Sequence, residues 1–175
     1  EALAGVFERV CEKWQVPFFC CRGYTSASEM WAASQRLIEY NNNDVTPIIL
    51  HFGDHDPSGL DMSRDIEDRL HVFGAEVEFR RLALNYDQVM EHDPPPNPAN
   101  DTDSRFAAYA REFGNESWEL DALSPAILAA LVEQEVETEV NETVWAEDQE
   151  TIRRGRAELS AVGHQWSSVV EGLKL

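Results

Sequence analysis

The sequence predicts an α/β protein, a parallel sheet flanked by helices and followed by a helical C-terminal extension. Three observations carry this expectation. Short apolar runs at residues 17–21 (PFFCC) and 47–52 (PIILHF) have the length and content of buried strands, and residues 76–84 read as a third strand. Segments with apolar residues at helical spacing lie before and between these runs. Strands that alternate with helices at this interval form βαβ units, whose strands run parallel.

Each element has its own signal. Leu3, Val6, Phe7, Val10, Cys11 and Trp14 fall on one helical face, so the chain opens inside an amphipathic helix. A sheet of this type usually begins with a strand, and its first strand is expected to lie upstream of residue 1 or to be lost. Residues 17–21 read as a strand closed by Arg22-Gly23-Tyr24. Ser26 or Ser28 is placed to cap a helix carrying Met30, Trp31, Leu37 and Ile38, which stops at Asn41-Asn42-Asn43. The strand at 47–52 runs into Gly53-Asp54-His55-Asp56-Pro57-Ser58-Gly59, and a helix follows to about Val72. Residues 76–84 form the next strand. The proline-rich run Pro94-Pro95-Pro96-Asn97-Pro98 reads as a stiff loop and the clearest internal boundary. A helix is expected from about Ser124, with Val132, Val136, Val140 and Val144 on one ridge and glutamates on a solvated face. A final helix carries Ile152, Leu159, Val162, Trp166, Val169 and Leu173, with Arg153, Arg154 and Arg156 near its start. Trp118, Trp145 and Trp166 read as packing residues and Cys11 as core. The expected organisation is a metal-binding α/β domain over residues 1–125 and an acidic helical extension over 126–175.

Composition narrows the function. A chain of 175 residues is about one domain, able to bury roughly 70% of its unfolded surface. Its 14 basic and 33 acidic residues leave a formal net charge of −19, which argues against gripping nucleic acid through a basic surface of its own. At 43% hydrophobic, with five Trp, it is no disordered acidic tail. Three cysteines, Cys11, Cys20 and Cys21, make no disulfide framework and indicate a reducing, cytoplasmic setting. No apolar run reaches the ~20 residues of a membrane span, and no signal peptide is recognisable.

The segment with chemical content is residues 51–59. In parallel α/β sheets, ligands bind beyond the carboxyl ends of the strands. Asp54 and Asp56 stand there two residues apart, and an extended backbone directs both side chains to one side. Two close carboxylates repel unless a cation neutralises them, and oxygen-only ligands suit Mg²⁺ or Mn²⁺, completed by water and substrate phosphate. Pro57-Ser58-Gly59 then opens a helix whose N-terminus, with Ser58, is placed to take a phosphate. The same residues also make a serviceable turn, with Asp56 or Ser58 as helix cap. His55 points the other way and reads as a supporting or surface histidine. Asp61 and Asp65 follow at helical spacing, Asp61 as a support for the metal or part of a solvated face.

Phe52-Gly53-Asp54-His55-Asp56-Pro57-Ser58-Gly59 at the end of an apolar strand resembles the Asp-x-Asp motif of Toprim domains. The resemblance is nearest to the DNA-cleaving A subunit of topoisomerase VI and its meiotic double-strand-break relatives. Phe18-Phe19-Cys20-Cys21-Arg22-Gly23-Tyr24 is similar to that family's second strand and following turn. Residues 1–7 look like the segment after the first strand, and Glu119-Leu120-Asp121-Ala122-Leu123 like the segment closing the core. The resemblance spans about residues 1–125 and implies a Toprim-like (Rossmann-like) sheet. It implies that Asp54 and Asp56 bind Mg²⁺ while a glutamate moves the proton; that glutamate is either Glu1 or a residue just before it. Arg22 is the candidate for a substrate phosphate, and Glu119 and Asp121 are candidates to face the site.

The resulting expectation is Mg²⁺-dependent phosphodiester cleavage and rejoining, or nucleotidyl transfer, on DNA. The chain would serve within a larger topoisomerase- or nuclease-like system. The DNA topoisomerases of that family use a tyrosine nucleophile from a separate winged-helix domain. Tyr24, Tyr40, Tyr86 and Tyr109 lie in or beside the Toprim-like elements, so the resemblance implies that the tyrosine and the basic surface come from a protein partner. Two alternatives stand beside it. One is a metal-dependent enzyme on a small nucleotide substrate; the other is a non-catalytic acidic module that binds a basic partner.

Overall fold

The structure, a computed structural model, describes residues 3–21 and 23–173. The chain divides into two compact units, residues 1–134 and 135–175. The first is mixed α/β. Helix α1 (Ala4–Trp14) turns its apolar face inward through Phe7, Val10 and Cys11, and Gln15 closes it in the left-handed conformation. Helix α2 (Ala27–Asn41) starts at a capping box: Ser26 Oγ accepts the Glu29 N–H, and the Glu29 carboxylate accepts the Ser26 N–H. At its far end the Asn41 side chain donates to the carbonyls of Val45 and Glu76 and accepts the Glu76 N–H, fastening both approaches to the sheet.

Strands β1 (Ile48–Phe52) and β2 (Glu78–Ala83) pair in parallel, joined by the crossover helix α3 (Pro57–Val72). The pair is one βαβ unit, with Ile48 opposite Glu78, His51 opposite Arg81 and a register shift before Phe52–Ala83. Met30 of α2, Leu70 of α3 and Ala75 form a buried cluster, with Leu37, Ile38, Ile49, Ile66, Phe73 and Val77 packed on it. That packing holds α3 against α2 and fixes the direction in which the β1–α3 loop leaves the sheet.

Helix α4 (Tyr86–His92) follows β2, and β3 (Asn97–Pro98) pairs antiparallel with β4 (Glu116–Ser117) around α5 (Phe106–Phe113). A single 3₁₀ turn (Leu120–Ala122) leads into α6 (Pro125–Glu139). Leu84, Leu123 and Leu128 are among the most deeply buried side chains.

Four expectations change. Residues 17–21 belong to no strand, with Phe18, Phe19, Cys20 and Cys21 exposed. An apolar run becomes a strand only where a neighbour accepts its hydrogen bonds, and β1 pairs only with β2 among the described residues. The proline-rich run is no boundary. Asn97 and Pro98 enter the β3–β4 pair, Pro at such a strand being tolerated at an edge, and the division falls between Gln134 and Glu135. The valine ridge is not one helix: α6 ends before Asn141, whose side chain caps a new helix, α7 (Glu142–His164), by accepting the Thr143 and Val144 N–H groups. Trp166, expected to pack, opens α8 (Trp166–Leu173) and is 58% exposed.

Candidate functional site

Asp54 and Asp56 lie in the β1–α3 loop, at the carboxyl end of a parallel strand. Burial alternates along it: Asp54 and Asp56 are half-buried, and His55 between them is 1% exposed. The loop is fixed from three sides.

The first is the Trp118 segment. The His55 N–H donates to the Trp118 carbonyl at 2.8 Å and the Trp118 N–H returns to His55 at 3.0 Å. One residue before His55 and two after Trp118, the Leu120 N–H donates to Asp54 Oδ1 at 2.7 Å. Glu119 is thereby held between two residues bonded to the acidic loop, with its side chain, like that of Asp121, exposed.

The second is the start of α3. Asp56 is its N-cap, extended at φ −142°, and Oδ1 accepts the Gly59 N–H at 2.5 Å. Ser58 Oγ donates to the same carboxylate at 3.0 Å. The helix terminus and Ser58, expected to meet a phosphate, are engaged by Asp56. Pro57, in the first turn, lacks the N–H that a helix start leaves unpaired.

The third is Arg81, which the sequence reading missed. Its Nη2 donates to the carbonyls of Gly53 (2.8 Å), Asp54 (2.7 Å) and Leu84 (3.1 Å). Its Nη1 donates to Ser63 Oγ and to the Gly59 carbonyl. Burial lowers the Arg81 pKa to about 10, opposed by the charges of Asp54 and Asp56. The signal available was a charged Arg80-Arg81 pair in a run read as a strand: alternation sends one of the two inward.

His55 sits in an aromatic cage of Tyr86, Tyr109, Phe113 and Trp118, its ring centroid 4.7 Å from that of Phe113. Its Nδ1 lies 2.9 Å from Tyr109 Oη, which donates to the His55 carbonyl or the Glu116 carbonyl, each 3.0 Å away. Burial and the Arg81 charge lower the His55 pKa. His55 is thus a packed, satisfied residue beneath the acids. Burial also raises the Tyr109 pKa.

Asp61, one turn into α3, accepts from Tyr24 Oη at 2.6 Å, from Arg64 and from Arg105 Nη1 at 2.6 Å. The Tyr24 bond, then Arg64, holds its pKa at about 2. Arg105 also pairs with Asp103 at 2.7 Å and lies against the Tyr24 ring. Asp61 therefore joins the residue 23–25 turn to α3 and α5. Asp65 pairs with Arg69 at 2.7 Å. A cleft of about 220 Å³ beside these groups is lined by Pro57, Leu60, Asp61, Arg105, Tyr109 and Phe113. Glu1 and Arg22 lie outside the described residues.

The donor set is two half-buried carboxylates. Among the described residues no three His, Cys, Asp or Glu side chains gather closely enough to hold a metal ion. Two hard oxygen donors fit an ion that keeps most of its waters, as Mg²⁺ does, and do not build an all-protein cage. Among the described residues no helix is long and apolar enough to cross a membrane. Family models, curated proteins and solved structures offer no match to the chain.

Proposed function

We propose that the chain is a Toprim-like domain in which Asp54 and Asp56 bind Mg²⁺ or Mn²⁺ for phosphodiester cleavage and rejoining, or nucleotidyl transfer, on DNA. It would act inside a larger topoisomerase- or nuclease-like system. The observation that carries the reading is the placement of two half-buried carboxylates at the carboxyl end of a parallel strand, on either side of an inward-facing histidine. The bound ion would offset charge developing on a phosphodiester oxygen. Asp54 and Asp56 would orient it, and the hydrogen bonds from Leu120, Ser58 and Gly59 keep the two carboxylates from swinging. A glutamate moving the proton, Glu1 or one before it, belongs to the same proposal, as does a phosphate contact from Arg22 or Ser58. With a net charge of −19, affinity for long DNA would come from the ion and from a partner carrying basic surface and a tyrosine.

One observation favours a second reading. Oδ1 of each aspartate already accepts a backbone N–H, as expected of a loop that serves as a structural fastener in a non-catalytic, partner-binding module. Mn²⁺ titration separates the two. Under the first, wild type binds Mn²⁺ and Asp54→Asn/Asp56→Asn does not, although both fold. Equal binding by the two proteins would sink the metal-site reading and leave the fastener.

A further inference from the structure

The charge that faces the acidic loop from inside the fold belongs to Arg81 on β2. Its guanidinium ties together three pieces of chain: the end of β1 through the Gly53 and Asp54 carbonyls, the first turn of α3 through Gly59 and Ser63, and the exit of β2 through Leu84. Two glycines make room for it. A Cβ at Gly53 would lie 3.2 Å from Arg81 Nη1 and 3.1 Å from the His51 ring. A Cβ at Gly59 would lie 2.3 Å from the Asp54 carbonyl oxygen that Arg81 binds.

The arrangement has a chemical consequence. The Gly53 and Asp54 carbonyls, which an exposed loop would offer to a cation, are turned inward onto a guanidinium. Any ion at the loop is left with carboxylate oxygens. A positive charge behind two carboxylates also opposes a second cation in front of them, by an amount that grows as the surroundings dry. Arg81 therefore acts on the acid pair in two opposite senses, as a repelling charge and as a brace. Substitution separates the two, because neutralising the side chain removes both while lysine keeps the charge and loses the brace.

We infer that Arg81 is a positioning residue for the Asp54–Asp56 pair, its brace outweighing its charge, so that losing it weakens divalent-cation binding. This rests on the reading of Asp54 and Asp56 as a cation site. The test is Mn²⁺ titration of wild type, Arg81→Lys and Arg81→Met, with circular dichroism and thermal unfolding on the same samples. The expected result is folded variants that bind Mn²⁺ about 10-fold more weakly or worse, the range found for groups that orient metal ligands. A folded Arg81→Met that binds as tightly as wild type, or more tightly, would overturn the inference, because charge alone would then account for the residue. If neither variant folds, Ser63→Ala decides. It removes one acceptor of the guanidinium from a helix position outside the acidic loop, and a several-fold weaker affinity supports the brace while an unchanged one overturns it. Wild type that fails to bind Mn²⁺ removes the cation-site reading first, and the inference with it.

Discussion

The Leu120 N–H donates to Asp54 Oδ1 across sixty-six residues of sequence, at 2.7 Å. With the His55–Trp118 backbone pair beside it, this bond sews the end of β1 to the segment leading into α6. Asp54→Ala strands the Leu120 N–H in a half-buried position and should cost about 1–3 kcal/mol of unfolding free energy. Asp54→Asn keeps an acceptor oxygen and should cost less than half of that, while still abolishing Mn²⁺ binding. Urea unfolding of the two variants checks the pair; equal losses would mean that the bond does not hold the loop.

Asp56 has a second task, the N-cap of α3. Removing a cap of this kind costs about 1 kcal/mol, within a range of roughly 0.5–2. Asp56→Ala should show that loss, and Asp56→Asn, an equally good cap, should unfold within a few tenths of wild type. Both should lose Mn²⁺. A stable Asp56→Ala would show the cap to be dispensable, and Mn²⁺ retained by Asp56→Asn would remove Asp56 from the cation site.

Tyr109 Oη reaches the His55 carbonyl, the Glu116 carbonyl and His55 Nδ1 from a 5% exposed side chain. Tyr109→Phe keeps the ring packing and removes the single donor of that hydroxyl, while the His55 carbonyl keeps the Trp118 N–H, for an expected loss of about 1–3 kcal/mol. His55 orientation depends on the same hydroxyl, so the variant should also sharpen or shift the His55 ring signals in a proton–nitrogen spectrum. Unchanged stability and signals would place the hydroxyl outside the network.

Acid should destabilise the fold through its histidines. Burial, then the Arg81 charge, lowers His51 from 6.5 to about 4, and the same causes in the same order lower His55. Between about 4 and 6.5 the unfolded chain binds a proton at position 51 that the folded chain refuses. Stability therefore rises with pH across that window and falls on acidification through it. His51→Gln, which keeps a hydrogen-bonding partner for Ser63 Oγ, should flatten the slope of stability against pH between 4 and 6.5. An undiminished slope would assign it to other groups. The depressed Asp61 acts lower, its contribution fading from about 3.8 toward 2.

The parts of this fold legible in the sequence are those whose signals are local. Strands at 48–52 and 78–83, the helix between them, the Ser26 cap and the buried Cys11 follow from periodicity and capping chemistry alone. Residues 17–21 misled because an apolar run states what a segment would bury and not whether a partner strand exists. The break at Asn141 was obscured by a valine ridge that continues through it, although Asn is a strong cap residue. At the site, alternation along Asp54-His55-Asp56 was readable. The brace from Arg81 was not, because it joins residues whose proximity arises only when β1 and β2 pair.

Gly59 tests that junction most sharply. A Cβ there would lie 2.3 Å from the Asp54 carbonyl oxygen and 3.1 Å from Asp56 Oδ1. The first of these is backbone held by Arg81, so it cannot swing aside as a flexible side chain would. Gly59→Ala should therefore lose roughly 1–3 kcal/mol or more, as overpacking does, even though alanine is the better helix former. Gly155→Ala, at a site on α7 with nothing within 4 Å of the added Cβ, should gain up to about 1 kcal/mol instead. Opposite signs at two helical glycines would locate the cost in the Asp54 contact. A neutral Gly59→Ala would mean that the β1–α3 loop relaxes away from Arg81 without penalty.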